Sequence, residues 1–168
     1  MSYEFAVDAT ALVSERYPQW VNLGLPAADL DRVRAAITTM WADEPGGWAY
    51  ELAGLARDYA GRGEHYLASL AYGVAKFPVL AGQAKQEAQR RPVAEYLKAA
   101  PGFGVRYERR ILQLPYRGAT TPVPVHLLSA AGDCAQAPVL LFSGGLDSWK
   151  MDLHALAAGL ALGAGGSP

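Results

Sequence analysis

Cysteine is nearly absent from the 168-residue sequence, which contains a single thiol at Cys134. One cysteine excludes an internal disulfide framework and a zinc site built from several thiolates. A chain without disulfides suits a reducing compartment, so we expect a cytoplasmic protein. Because Asp133 is its neighbour and no basic residue adjoins it to favour the thiolate, we interpret Cys134 as a loop residue rather than a nucleophile.

An excess of charge of one sign and long apolar runs are also missing. The 15 basic and 16 acidic side chains nearly cancel, so no strong field attracts nucleic acid or an anionic membrane. No run reaches the roughly 18 apolar residues that a membrane-spanning helix needs. The first residues include Glu4 and Asp8 and lack the basic start and apolar stretch of a signal peptide. We therefore expect neither a nucleic-acid partner nor a membrane partner.

The few histidines do not form a recognisable site. His65, His126 and His154 are widely separated, so we expect no metal centre, and nothing in the sequence calls for a cofactor. His65 follows a Gly-rich turn and is interpreted as a helix-start residue. His126 is expected on one face of a strand, and His154 in the helix after a Gly-rich loop.

Apolar residues recur at helical spacing between Pro26 and Ala100, and glycine or proline separates the segments. The pattern predicts a helical first half. Trp48, Leu52, Leu55 and Tyr59 are expected on one buried face. The first predicted helix begins at Asp29 or Asp31 and ends at about Trp41. The others cover about 48–61, 64–76 and 80–99, the last of them kinked or split at Pro92.

The periodicity changes after Pro101-Gly102. The segments 105–114 and 123–129 are rich in β-forming residues, and the turn-like Tyr116-Arg117-Gly118 separates them, which predicts a β-hairpin. We place a domain boundary at this change, giving a helical segment over 1–100 and a second region over 101–168.

The second region also contains a predicted strand, loop and helix. Pro138–Phe142 is a short apolar run typical of a strand buried on both faces of a parallel sheet. The loop Ser143–Ser148 follows it. A helix over about 149–162 is then predicted, with Leu153, Leu156, Ala157 and Leu160 on one stripe against the sheet. The fold class expected is therefore α/β.

Such a loop places several backbone N–H groups at the start of a helix, where anions bind. The N–H groups serve either the phosphates of a nucleotide or the oxyanion that forms when a nucleophile attacks a carbonyl. The string Ser143-Gly144-Gly145-Leu146-Asp147-Ser148 by itself resembles the pyrophosphate loop of the ATP pyrophosphatases. That resemblance implies an ATP-binding protein and is the first alternative.

Over about 41–163 the chain resembles another family, the α/β hydrolases that include the fermentation-respiration switch protein esterases and the dihydroxypseudooxynicotine hydrolases. The residues that carry the resemblance are Trp48, Ala56–Tyr59, Gly63, Tyr66, Ala71, Ala75–Pro78, Lys85, Tyr96, Gly144–Asp147 and Lys150. It implies a helical N-terminal cap followed by the first strands and the first helix of the hydrolase sheet. It also implies backbone oxyanion donors at Gly145 or Leu146, with Gly144, Asp147 and Lys150 supporting the loop. Asp147 would cap the following helix.

A hydrolase of this type needs a Gly-x-Ser-x-Gly nucleophile elbow, then an acid and a histidine. The sequence contains no complete Gly-x-Ser-x-Gly. The chain is therefore expected to be a truncated core that is inactive alone and that associates with a complementing chain or with itself through an unpaired sheet edge.

The sequence thus predicts the N-terminal part of an α/β hydrolase. The small-molecule substrate is expected to be an ester or a ketone whose carbon–carbon bond is cleaved, as in natural-product metabolism. The second alternative is a non-enzymatic helical interaction module, because Trp48–Pro78 also resembles one tetratricopeptide helix pair.

Overall fold

A computed structural model describes residues 4–130, 138–145 and 148–164 of the chain. The protein is mixed α/β, with a set of helices followed by a two-stranded antiparallel sheet. It divides into two compact units, Met1–Ala99 and Ala100–Pro168, which we call the helical unit and the hairpin unit.

Within residues 4–99, the helical unit contains six helices whose bounds follow the apolar periodicity and its breaks. They are α1 Ala9–Asn22, α2 Ala27–Ala36, α3 Trp48–Gly61, α4 His65–Ala75, α5 Gln83–Arg90 and α6 Pro92–Ala99. Helix α1 was not predicted. It begins after Asp8, whose carboxylate accepts a hydrogen bond from the Ala11 N–H at 2.9 Å, as an N-cap residue does.

Helices α3 and α4 pack against each other at the centre of the helical unit, and α5 and α6 both contact α4. The predicted buried face of α3 is confirmed, since Trp48, Leu52, Leu55 and Tyr59 are each at most 2% exposed. The Trp48 indole N–H donates to the Val74 carbonyl at 3.1 Å, so a buried polar group at this interface has a partner.

Two predicted helix boundaries shift. The helix expected to reach about Trp41 ends at Ala36, because Ile37 is extended and the N–H groups of Thr38 and Thr39 donate to the Gly46 carbonyl instead. Of the two outcomes expected at Pro92, the structure shows a split: α5 ends at Arg90 and α6 begins at Pro92. A proline at the first helical position loses no helical hydrogen bond.

The hairpin unit contains the predicted β-hairpin. Strand β1 (Arg106–Tyr116) pairs antiparallel with β2 (Ala119–Ser129), and Tyr116 lies opposite Ala119. The two turn residues Arg117 and Gly118 have φ of 51° and 77°. Positive φ at both positions is the geometry of a type I′ turn, whose twist matches that of the strands.

The expected strand at Pro138–Phe142 is wrong for this structure, which shows no regular structure there. Val139 is 90% exposed and Leu141 is 88% exposed, whereas a strand inside a parallel sheet is buried on both faces. The sheet in the described residues consists of β1 and β2 alone. A strand needs a neighbour to hydrogen bond with, and an apolar run cannot supply one by itself.

The helix predicted over 149–162 forms in two parts, a 3₁₀ segment Lys150–Leu153 and the helix α7 His154–Ala164. The stripe expected to be buried is not buried along its length, since Leu156 is 53% exposed and Leu160 is 45% exposed. Helix α7 contacts β2, and no further strand covers the stripe within the described part of the chain.

Among the described residues, no helix combines the length and the apolar character needed to cross a membrane.

Candidate functional site

The Gly-rich loop predicted as a site bends tightly in the structure. A Cβ added at Gly144 would lie 2.6 Å from the Ser148 carbonyl oxygen and 3.0 Å from the Ser148 hydroxyl oxygen. The first distance is too short for a Cβ, and the second is tighter than ordinary contact. Glycine is therefore required here by close approach of the chain to itself.

The same bend directs one of the predicted oxyanion donors at an oxygen atom. The Gly145 N–H donates to the Ser148 Oγ at 2.7 Å. A short hydrogen bond of this kind shows that the N–H points out of the backbone turn toward an acceptor. The Ser148 hydroxyl thus occupies a position where another oxygen would receive the same hydrogen bond.

The helical segment after the loop begins with a side-chain cap. The Trp149 N–H donates to Asp152 Oδ2 at 2.8 Å, and the Asp152 N–H returns a hydrogen bond to the Trp149 carbonyl at 3.0 Å. Asp152 therefore satisfies an N–H group at this helix start. Two predicted site residues, Leu146 and Asp147, lie outside the described residues, so the predicted donor at Leu146 and cap at Asp147 stay predictions.

Lys150 connects the start of this segment to the hairpin through a hydrogen bond. Its Nζ donates to the Pro124 carbonyl of β2 at 2.6 Å. Burial, followed by repulsion from Arg109, lowers the pKa of Lys150. The Met151 side chain is buried beside it. The position of the loop is therefore set by contacts of the residues that follow it.

Aromatic and imidazole rings also pack against one another in the hairpin unit. The Phe103 ring lies 4.1 Å from the His154 ring and 5.7 Å from the Tyr107 ring, and Tyr107 is 5.4 Å from His126. Burial, helped by Lys150 and Arg109, lowers the pKa of His126 to about 4, and burial also lowers the pKa of His154. Both imidazoles are therefore mostly neutral at pH 7, and they pack in the hairpin unit as ring partners.

Of the predicted site residues, the structure brings Gly144, Gly145 and Lys150 into one segment that is docked on β2. Sequence reasoning missed Ser148 as the acceptor for the Gly145 N–H and Asp152 as the cap. The spacing Trp149-x-x-Asp152 is a signal for the cap, since an acidic residue at the third helical position reaches back to the N-cap N–H. The described residues contain no group of three His, Cys, Asp or Glu side chains able to hold a metal ion.

A second unusual polar group lies in the helical unit. Lys85 on α5 is 1% exposed, and its Nζ donates to the Phe77 carbonyl at 2.9 Å and lies 3.2 Å from the Met40 sulfur. The Nζ is also 4.3 Å from the centre of the Trp41 ring. Burial lowers the pKa of this amine to about 8, against a smaller opposing effect of Asp43. These contacts surround the amine on several sides, so Lys85 is a structural cation of the core.

The fold and the loop define the protein as a mixed α/β chain in which a helical unit precedes a β-hairpin and a tightly bent glycine loop. No protein-family model matches this chain, and no curated protein matches it.

Proposed function

We propose that the chain supplies the helical cap and the oxyanion loop of an α/β hydrolase that acts on an ester or on a ketone carbon–carbon bond. The nucleophile, acid and histidine would come from further polypeptide, because the sequence has no complete Gly-x-Ser-x-Gly. The order of segments supports this proposal: helices come first, then a hairpin, then a Gly-Gly loop that leads into a helix.

The observation that carries the proposal is the hydrogen bond from the Gly145 N–H to the Ser148 Oγ at 2.7 Å. An oxyanion hole consists of N–H groups held about this far from the position of the developing negative oxygen. At Gly145 the N–H is already oriented toward an oxygen before any substrate binds. A substrate carbonyl would replace the Ser148 hydroxyl as its acceptor.

A phosphate ligand is less well supported by the same geometry. Phosphates carry full negative charge, and their sites combine backbone N–H groups with a cation. Lys150 is the cation next to this loop, and its Nζ is held on the Pro124 carbonyl. A carbonyl oxygen carries its charge only in the transition state and needs N–H donors alone.

The test uses the complete product of the reading frame that contains these residues. A fluorophosphonate probe labels activated serines, so we expect labelling of one serine outside residues 1–168, together with hydrolysis of p-nitrophenyl esters. The matched control replaces the labelled serine by alanine and should abolish both signals. Absence of labelling and of ester hydrolysis in a folded product would contradict the proposal.

Calorimetry with ATP and magnesium distinguishes the hydrolase from the alternative, an ATP-binding protein. If the chain belongs to a hydrolase, we expect no heat of ATP binding. Clear affinity for ATP, lost on replacing Lys150 by alanine, would favour a nucleotide site instead.

A further inference from the structure

The amine of Lys85 lies in the helical unit without a counter-charge bonded to it. The residue is 1% exposed, and its Nζ has one oxygen acceptor, the Phe77 carbonyl at 2.9 Å. The Met40 sulfur at 3.2 Å is a weak acceptor. No ion pair joins Lys85 to a carboxylate in the part of the chain that the structure describes. A protonated amine has three N–H donors, so its charged form is only partly satisfied here.

This environment favours the neutral amine. Burial lowers the pKa of Lys85 to about 8, so about a tenth of the amine is neutral at pH 7. A lysine with an ordinary pKa near 10.4 has about 200-fold less neutral amine at the same pH. Only the neutral form has a lone pair with which to attack a carbonyl carbon. Lys85 is therefore a nucleophile once a reagent reaches it.

A short surface loop covers the amine. Residues 40–45, which we call the lid, form a loop whose two ends meet where the Thr39 N–H donates to the Gly46 carbonyl at 3.1 Å. The Trp41 ring lies over Lys85, with the Nζ 4.3 Å from the ring centre. Trp41 is only partly buried. On this side, one partly exposed ring therefore separates the amine from solvent.

Few polar contacts hold the lid closed, and they lie near the surface. The Trp41 indole N–H donates to the Phe5 carbonyl at 2.9 Å, and the two rings meet edge to face with centroids 5.0 Å apart. Phe5 is 52% exposed. Asp43 accepts hydrogen bonds from the N–H groups of Gln83 and Ala84. Surface contacts of this kind open locally without unfolding of the core.

We propose that Lys85 is a covalent binding site for aldehydes, which reach it when the lid opens and form a Schiff base with its amine. The lone pair of the neutral amine attacks the carbonyl carbon, and the oxygen takes a proton from the nitrogen to give a carbinolamine. A proton from water lets the hydroxyl group leave as water while the C=N bond forms. One aldehyde, one neutral amine and one proton thus give one protonated imine and one water.

The surroundings of the amine favour a protonated imine over the amide that an acyl donor would leave. The imine keeps the positive charge and one N–H. When the lid closes again, the charge lies over the Trp41 ring and the N–H donates to the Phe77 carbonyl. An amide keeps the N–H and loses the charge. Because the Met40 and Trp41 side chains beside the amine are apolar, the aldehyde expected is aromatic. The inference goes beyond the hydrolase function and does not depend on it.

Reductive labelling of the full chain tests the proposal. The chain has four lysines, Lys76, Lys85, Lys98 and Lys150. With benzaldehyde and cyanoborohydride at pH 7, each imine is fixed as a benzylamine, and mass spectrometry of peptides gives the rate at each lysine. We expect labelling of Lys85 at least about tenfold faster than that of Lys98, whose side chain is 54% exposed. The rest of the 200-fold advantage in neutral amine is lost because the lid is mostly closed.

Phe5→Ala tests the lid. It removes the ring contact with Trp41, so the lid should be open more of the time and Lys85 should be labelled about threefold faster. The rate at Lys98 should not change. Tyr116→Ala is the matched control, since Tyr116 is an aromatic residue of similar exposure in the hairpin unit. It should leave both rates unchanged.

Lys76 distinguishes opening of the lid from unfolding of the helical unit. It is 5% exposed and follows the last residue of α4, outside the lid. If aldehydes reach Lys85 through the lid alone, Lys76 should stay slow in the wild type and in Phe5→Ala.

Three results would overturn the proposal. The first is labelling of Lys85 no faster than that of Lys98 in the folded chain. The second is a Lys85 rate that Phe5→Ala leaves unchanged. The third is equal labelling of Lys85 and Lys76, which would mean that the reaction requires unfolding. Presence or absence of ester hydrolysis affects none of these measurements.

Discussion

The fold of the loop requires glycine at position 144 but not at position 145. A Cβ at Gly144 would lie 2.6 Å from the Ser148 carbonyl oxygen, whereas a Cβ at Gly145 would be in ordinary contact, 3.8 Å from the Ser148 Oγ. Gly144→Ala must therefore move the loop and lengthen the hydrogen bond from the Gly145 N–H to Ser148. We expect hydrogen exchange of the residue 145 amide to become about fivefold faster, as for the loss of roughly 1 kcal/mol of hydrogen bonding.

Gly145→Ala is the matched control for this substitution. It keeps the N–H and adds a methyl group where there is room, so exchange of the same amide should change little. Amide exchange followed by NMR distinguishes the two variants. Equal rates in Gly144→Ala and the wild type would show that the bend is not set by Gly144.

Lys85 makes the stability of the protein depend on pH, which a core residue does not usually do. Its pKa is about 8 in the folded chain because of burial, below the value near 10.4 of a lysine in an unfolded chain. Between these two values the unfolded state binds more protons, so stability rises with pH. Relative to Lys85→Met, the wild type should gain up to about 3 kcal/mol between pH 7 and pH 10.5.

Urea unfolding of both proteins across this pH range measures the difference. Lys85→Met removes the titration and keeps the length of the apolar stem. The stability that Lys85→Met loses relative to the wild type should be smallest at pH 7, where the wild type buries a charged amine. This loss should grow as the pH rises and the wild-type amine gives up its proton. A constant or falling difference would mean that the Lys85 pKa is not lowered.

Helix α5 depends on a cap that comes from a distant part of the chain. Asp43 Oδ2 accepts hydrogen bonds from the N–H groups of Gln83 and Ala84, at 2.8 and 3.2 Å. Removing an N-cap acceptor costs about 1 kcal/mol, so Asp43→Ala should destabilise the helical unit by roughly 1–2 kcal/mol. Urea unfolding monitored by circular dichroism measures this change.

Asp43→Asn is the control, because an asparagine side chain also accepts from helix N–H groups. It should restore most of the lost stability. If Asp43→Asn is as unstable as Asp43→Ala, the negative charge of Asp43 rather than its acceptor oxygen matters to α5.

Elements whose signals are local could be predicted from the sequence. The buried face of α3 follows from helical spacing, and the hairpin follows from β-forming segments around Arg117-Gly118. The Asp43 cap could not be predicted, since 40 residues separate it from Gln83. In the candidate site, the need for glycine was evident, but the acceptor role of Ser148 depends on how the loop folds back on itself.

The exposed segment 138–142 is a case in which a local sequence signal gave a wrong prediction. The segment is apolar in composition, and yet Val139–Leu141 is exposed in the structure. Burial of a strand depends on neighbours that can lie far away in sequence or in another molecule. Periodicity contains no information about whether those neighbours are present, so the fold of the helical unit was easier to predict than that of the hairpin unit.

The two units of the whole molecule differ in how much apolar surface they bury. The helical unit has a continuous core that includes Trp20, Trp48 and Tyr59. Among the described residues of the hairpin unit, the buried hydrophobic side chains are Val105 and Met151. Because apolar burial is the main favourable term in folding, the stability of the molecule resides in the helical unit.

This contrast predicts unequal protection from hydrogen exchange along the full chain. Amides in α3 and α4 should exchange only through global unfolding, whereas those in β1 and β2 should exchange through local opening, at least about 100-fold faster. Mass spectrometry of peptic fragments measures this ratio. Equal protection of the two units would mean that the hairpin unit has a source of stability besides its own apolar burial.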